Sequence, residues 1–241
     1  PMQFVQAIEN SKPLETEAYS FQGIITGDNN YFLRLWHEVD KNSMKTNIQN
    51  NERGMYDSIW VPYNKGGGFR RWYGNSEYLL RWVNQGKTLT RARTENANYY
   101  FREGVTWSFI TSGTFSARYF PEGSLWDVAG SSVFATKRLS TEFICALMNS
   151  KVAQLFFDIT NPTINYQVMN IISLPYLKDE RNVALPDIAK QCISISKTDW
   201  DFFETSWDFA RHPIVLLCHC VTAEDGHETA YIEDVYNEWA F

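Results

Sequence analysis

Between Thr106 and Phe157 the chain changes hydrophobic period once, and that change constrains the fold more than any other feature of the sequence. Thr106 to Ala117 and Val128 to Ala135 mix β-branched, aromatic and small residues in alternation, which suits strands whose successive side chains face opposite ways. Leu139 to Phe157 then places Ile144, Leu147, Met148, Val152 and Leu155 on one helical face, with Ser140 in position to cap the first turn. Strands that give way to one strong helix imply a mixed fold, α/β in the broad sense (α+β).

The flanking segments fit this plan. Thr26-Gly27-Asp28-Asn29-Asn30 reads as a turn after a short apolar strand, and Asp40 to Asp57 as an exposed polar loop. Ile59 to Pro62 reads as a strand entering the turn Gly66-Gly67-Gly68, and Glu77 to Val83 as a short helix. After the main helix, NPTINYQVMNIISLPY (161–176) reads as a strand-like return, and the chain beyond it as helical and acidic. The expected division is therefore 1–177 for the mixed domain and 178–241 for a helical, acidic segment. That segment looks truncated, because Ile232, Val235, Tyr236 and Trp239 start a helical face with no cap after it.

With 44% apolar residues in 241, the chain can bury a sizeable core. The uncharged stretch Ile159 to Leu177 holds too many Asn, Gln, Thr and Pro residues to span a bilayer, so no membrane partner is expected. Four cysteines without regular pairing fit a reducing, cytoplasmic setting. The net charge of −6 conceals an asymmetry. Trp60 to Arg118 carries nine basic residues against three acids, whereas Lys178 to the end carries five against thirteen. A ligand meets the local field, so the acidic total does not argue against a polyanion.

Several kinds of chemistry lack their residues. Gln85-Gly86-Lys87-Thr88 matches the end of a phosphate-binding loop, but Arg81 stands where the first glycine belongs and no apolar strand leads in. Gly66-Gly67-Gly68 lacks the following helix that a nucleotide or S-adenosylmethionine site uses. Cys218-His219-Cys220 with His227 offers four donors, but the spacing suits a tetrahedral zinc poorly, and no metal is expected. Nucleophile, base and carboxylate form no recognisable pattern, so no catalytic residue is assigned. Asn161-Pro162-Thr163-Ile164 comes within two letters of the Asn-Pro-Pro-Tyr loop of adenine amino-methyltransferases, yet lacks the aromatic ring that stacks on the base.

The basic stretch carries the positive signal. In GGGFRRWYGNSEYLLRWVNQGKTLTRAR, cations alternate with Trp72, Tyr73, Tyr78 and Trp82 and with Asn75, Asn84 and Gln85. Arginine forks suit phosphate or the guanine edge, and amides suit adenine. Lys65, Arg70, Arg71, Arg81, Lys87, Arg91, Arg93 and Arg102 are the candidates for phosphate clamps or guanine readers. Asn75, Thr106, Ser112, Arg118 and Asn165 are the candidates for contacts in or near a DNA groove. The alternative is a solvated face, or a protein-interaction module whose aromatic surface and acidic tail bind other proteins.

Five stretches in order carry a family resemblance: TGDNNYFLRLWHEV, WVPYNKGGGFRRWYGNSEYLLRW, YYFREGVTWSFITSGTFSARYFPEGSLWDVAGSSVFA, ALMNSKVAQLFFDITNPTINYQVMNIISLPY and SKTDWDFFETSWDFARHPI. Together, over about Gly23 to Ile214, they resemble the C-terminal half of the PglX-like adenine-specific DNA methyltransferases of BREX phage-defence systems, which are similar to type IIG restriction-modification enzymes. The resemblance implies a target recognition domain that reads double-stranded DNA, with a fold like that of type I restriction specificity subunits. It also implies that S-adenosylmethionine and the catalytic tetrapeptide belong to a separate upstream domain of the parent protein, and that other phage-defence proteins are potential partners. Asn161-Pro162-Thr163-Ile164 then belongs to the return after the long helix. Met169-Asn170 departs from the family, which usually has Gly-Asp or similar there.

Overall fold

A computed structural model describes residues 8–49, 58–87, 89, 94–177 and 184–217. It divides the chain into two compact units, Pro1–Lys197 and Thr198–Phe241. The first unit is built in three layers: two four-stranded sheets face each other, and helices cover the outer face of one of them.

The first sheet has the order β2-β9-β6-β7, all antiparallel, from Ala18–Phe21, Ser132–Ala135, Gly104–Trp107 and Ala117–Phe120. The second has the order β3-β5-β4-β8, from Leu33–Leu35, Tyr78–Val83, Ser58–Asn64 and Leu125–Trp126, with only the β4–β8 pair parallel. A two-stranded ribbon joins β1 (Lys12–Pro13) to β10 (Pro175–Tyr176). Between the sheets lies an aromatic core containing Trp82, Tyr100, Phe101, Phe120, Trp126 and Phe134. Edge-to-face pairs such as Trp82 with Phe101, 5.5 Å between centroids, fill it without stacking identical faces.

On the opposite face of the first sheet, Val105, Trp107, Ala117 and Val133 pack against helices α2 (Thr141–Asn149) and α3 (Lys151–Thr160). The expected single helix is two. Ser140 caps the first, its Oγ accepting from Phe143 N at 3.1 Å, as its position predicts. Ser150 then adopts extended dihedrals and caps the second, accepting from Ala153 N at 3.0 Å. The break shifts the buried face to Ala153 and Phe157, so Val152 and Leu155 are 52% and 45% exposed rather than in the core.

Other segments differ from their sequence reading for physical reasons. Glu77 to Val83 is not a helix: Tyr78–Val83 is the central strand β5, paired on both sides. Leu79 and Leu80 are both fully buried, so burial on two faces erased the alternation that marks a strand. Thr106 to Ala117 is the end of β6, a loop, and the start of β7 rather than one strand. The return segment contains a short helix, α4 (Val168–Ile172), before β10. Asn170 holds the start of that helix by accepting from Gln167 N at 2.8 Å. Asp28 caps the four-residue helix α1 (Asn29–Phe32) by accepting from Tyr31 N at 3.1 Å, which is what the turn at Thr26 to Asn30 becomes.

After Leu177 the described chain is helical at α5 (Leu185–Asp201) and α6 (Pro213–Leu217). In the second unit Ser206 donates to Asp201 at 2.7 Å, and the Phe203 and His212 rings meet edge to face. Among the described residues, no helix is long and apolar enough to cross a membrane. Cys218, His219, Cys220, His227 and the expected helix after Glu228 lie outside the described residues, and no group of three metal-ligating side chains occurs within them.

Candidate nucleic-acid interface

Three loops meet beyond the end of the first sheet. The first follows β4 and runs through Gly66-Gly67-Gly68 to Tyr73, the second joins β6 to β7, and the third is Asn161 to Asn165 after α3. Backbone pairing ties the last two: Thr111 N donates to Ile164 O (3.0 Å), Tyr166 N donates to Phe109 O (2.7 Å), and Ile110 bridges Asn165. Ser108 Oγ donates to Gly67 O at 2.7 Å and so attaches the glycine turn to them. Beneath, Trp107 Nε1 donates to Tyr166 O at 2.8 Å, and the Tyr166 ring packs on Phe115 and Phe157.

The glycine turn depends on its residues. Gly66 and Gly67 have φ of 86° and 136°, values that side-chain-bearing residues rarely adopt. A Cβ on Gly67 would lie 2.8 Å from the Asn75 side chain, whose Nδ2 donates to Gly68 O at 2.8 Å. Trp72 and Asn75 also have positive φ, 72° and 59°. For a residue as bulky as Trp this is strained backbone, held here by Trp72 N donating to Ala117 O (2.9 Å) and Tyr119 N donating to Trp72 O (2.7 Å).

The rim of this cluster combines charge with exposed apolar surface. Lys65 Nζ stands 5.4 Å from the Tyr78 ring, and the Arg71 guanidinium 5.5 Å from the Phe69 ring. Phe69, Ile110 and Ile164 are all more than half exposed. Arg70 lies half-buried between Phe69 and Arg71, and Ser112 is exposed at the tip of the second loop. Ser196 of α5 donates to Arg71 O at 3.0 Å, and Lys197 stands 5.6 Å from the Tyr73 ring.

Of the candidate residues, Lys65, Arg70, Arg71, Asn75, Ser112 and Asn165 therefore share this loop cluster. Arg81 lies on β5, where its guanidinium covers the Tyr31 ring at 5.2 Å and donates to the Tyr31 hydroxyl at 2.9 Å. Arg102 is exposed over the Tyr99 ring at 5.1 Å, and Lys87 is exposed after β5. Arg91 and Arg93 lie outside the described residues.

Thr106 and Arg118 do not lie on the surface expected of them, being only 2% and 1% exposed. They face each other across β6 and β7. The Thr106 hydroxyl is committed to Gly130 O (2.8 Å) and Ser131 O (3.1 Å). Burial pulls the Arg118 guanidinium down to about 10, which leaves it charged at neutral pH.

Sequence reasoning missed Tyr31, Phe69 and Ser108. Phe69 was visible as an aromatic inside GGGFRR, but Tyr31 is fifty residues from Arg81 and carries no local signal. The Asn161 amide is occupied within its own loop, with Nδ2 donating to Asn165 O (3.1 Å) and Oδ1 accepting from Thr163 Oγ1 (2.9 Å). It is thus turned inward to the loop rather than presented as an open grip for a base amine.

The chain is 35% identical over 230 residues, 90% of its length, to the adenine-specific methyltransferase PglX of Lacticaseibacillus casei (strain Zhang). The chain is PglX-like. Over 193 residues, 78% of its length, it is also 38% identical to the adenine-specific methyltransferase BrxX of Escherichia coli O9:H4 (strain HS). No protein-family model matches it. The PglX-like chain spans 18% and 15% of the lengths of these two relatives, so it corresponds to a segment of them.

Proposed function

We propose that this PglX-like segment is the sequence-specific double-stranded DNA recognition domain, a target recognition domain, of an N6-adenine methyltransferase acting in BREX phage defence or restriction-modification. The observation that carries the reading is the loop cluster itself. Lys65, Arg70 and Arg71 project from a glycine turn locked to two other loops at one end of a sheet, inside a segment similar to adenine-specific methyltransferases. Cations there would hold phosphates, and the loop tip at Ser112 and the amides of Asn75 and Asn165 would lie near base edges. In the parent protein a separate domain would bind S-adenosylmethionine and take the adenine out of the stack. Residues 1–177 would form the recognition module, with the helical segment after it packing against partners.

Fluorescence anisotropy with a labelled duplex tests this. The 241-residue chain should bind duplex DNA with an affinity that falls linearly on a log–log salt plot, and Arg70→Ala with Arg71→Ala should weaken it. Binding that ignores both salt and these substitutions would discard the reading.

A second reading, contact with another defence protein, is favoured by one observation. An apolar cavity of about 340 Å³ is lined by Phe143, Ala146, Leu147, Val152, Tyr176 and Leu185, on the helical side of the first sheet. Val152→Asp should then abolish co-purification with such a partner while leaving DNA binding intact.

A further inference from the structure

Arg118 is a buried cation to which the described residues offer no carboxylate. Among the described residues no acid pairs with it, and its Nε and Nη1 find no acceptor there. Its neighbours are instead small hydroxyls, the buried Cys145 thiol and backbone: Thr106 stands opposite it in the β6–β7 register, and its Nη2 donates to Ser108 Oγ at 3.2 Å. Ser108 Oγ in turn donates to Gly67 O at 2.7 Å. A relay of two hydrogen bonds therefore runs from an interior guanidinium to the middle of the Gly66–Gly68 turn. The strained Trp72 backbone pairs with the same stretch of β7, which closes the turn onto Arg118 from the other side.

A buried charge left with unpaired donors is expensive and calls for an explanation, of which an ion bound nearby is one. Gly67 and Gly68 are exposed, and a Cβ built on Gly68 would meet nothing within 4 Å, so an anionic oxygen can approach the backbone of the turn without displacing a side chain. We propose that the Gly66–Gly68 turn is a seat for a phosphodiester group and that Arg118 is its interior cation, a positioning residue that fixes the turn through Ser108 and supplies positive potential without touching the ligand. This rests on the DNA reading above for the source of the phosphate. It also explains why Arg118 is arginine rather than an apolar residue, in a strand that otherwise alternates cleanly into two cores.

The test uses the 241-residue chain labelled with ¹⁵N-glycine, titrated with inorganic phosphate and separately with a 20-base-pair duplex. In the wild type the Gly66–Gly68 amide resonances should shift and saturate with both probes. In Arg118→Met, which replaces the buried charge by a flexible apolar chain ending near the place of the arginine Nε, the shifts should vanish with both, and the log–log salt slope for the duplex should fall by about 0.9. Ser108→Ala keeps the charge but cuts the relay, and should weaken the duplex about tenfold with the protein fully folded by near-ultraviolet circular dichroism. Glycine resonances that respond to neither probe overturn the proposal, as do shifts identical in the wild type and Arg118→Met. Shifts with phosphate but none with duplex keep the anion seat and its cation, and overturn the DNA reading instead.

Discussion

Asn149 pairs with Ala117 as a strand residue would. Ala117 N donates to Asn149 Oδ1 at 3.0 Å, and Asn149 Nδ2 donates back to Ala117 O at 2.9 Å. A side chain at the end of α2 thus satisfies the backbone of β7 on the side where the loop cluster begins, and Nδ2 also reaches Cys145 O at 3.0 Å.

Replacing Asn149 by Leu keeps the volume and leaves the buried Ala117 N–H without an acceptor. The cost should be about 2 to 3 kcal/mol in a urea titration, the range for orphaning a buried polar group together with its lost partner. A loss below about 0.5 kcal/mol, typical of surface changes, would mean that the pairing is not a fixed part of the fold.

Gly23 approaches the aromatic core between the sheets so closely that a Cβ would overlap the Trp126 carbonyl, the group to which Ile24 N donates at 2.8 Å. Gly23→Ala must push β8 away or break that bond, and overpacking of this kind costs about 1 to 3 kcal/mol. The midpoint of thermal unfolding should fall accordingly. An unchanged midpoint would show that this approach is looser than described.

Glu17 supplies a pH dependence. Burial pushes its carboxyl up, but the Arg138 guanidinium at 3.3 Å, with hydrogen bonds from Tyr176 and Thr136, outweighs burial and holds it below the usual carboxylate value of 4.5. A group whose pKa is depressed on folding stabilises the folded state above its unfolded value and loses that contribution as pH falls through the folded one. The wild type should therefore exceed Glu17→Gln in urea midpoint by a constant margin above about pH 5, and the margin should close as the pH drops below 4.5. A margin independent of pH down to 3 would refute the assignment.

How far the sequence exposes this structure depends on where each signal lies. Ser140 could be read as a cap because its chemistry is local, and the glycine turn because three glycines have few other uses. Ser150 has the same chemistry, but it sits inside an unbroken apolar pattern, and only the bond of Asn149 to β7 shows why the helix stops there. The strand β5 hid because burial on both faces removes its period. In the candidate site the charges of Lys65, Arg70 and Arg71 were legible as composition. The burial of Arg118 was not: a lone arginine in Phe-Ser-Ala-Arg-Tyr-Phe reads as the solvent face of a strand, and the groups that enclose it, Thr106, Ser108 and the backbone of Trp72, come from β6 and from two separate loops.

The cations of the rim can be sorted by one set of substitutions. If Arg70 and Arg71 touch phosphates, each Ala variant should weaken every duplex alike and reduce the salt slope by about 0.9. If either reads a guanine, its loss should cost about 1 to 3 kcal/mol on the preferred sequence and little elsewhere. Arg71 already stands against Phe69, which limits its freedom and favours a fixed, base-reading pose over a loose phosphate contact. Arg81 is the internal comparison: its guanidinium is held by the Tyr31 hydroxyl and ring on a different part of the surface, so Arg81→Ala should leave the salt slope of the loop cluster unchanged. Equal losses at Arg70, Arg71 and Arg81 would show that binding follows net charge rather than the geometry of the glycine turn, and the loop cluster would lose its place as the DNA-facing surface.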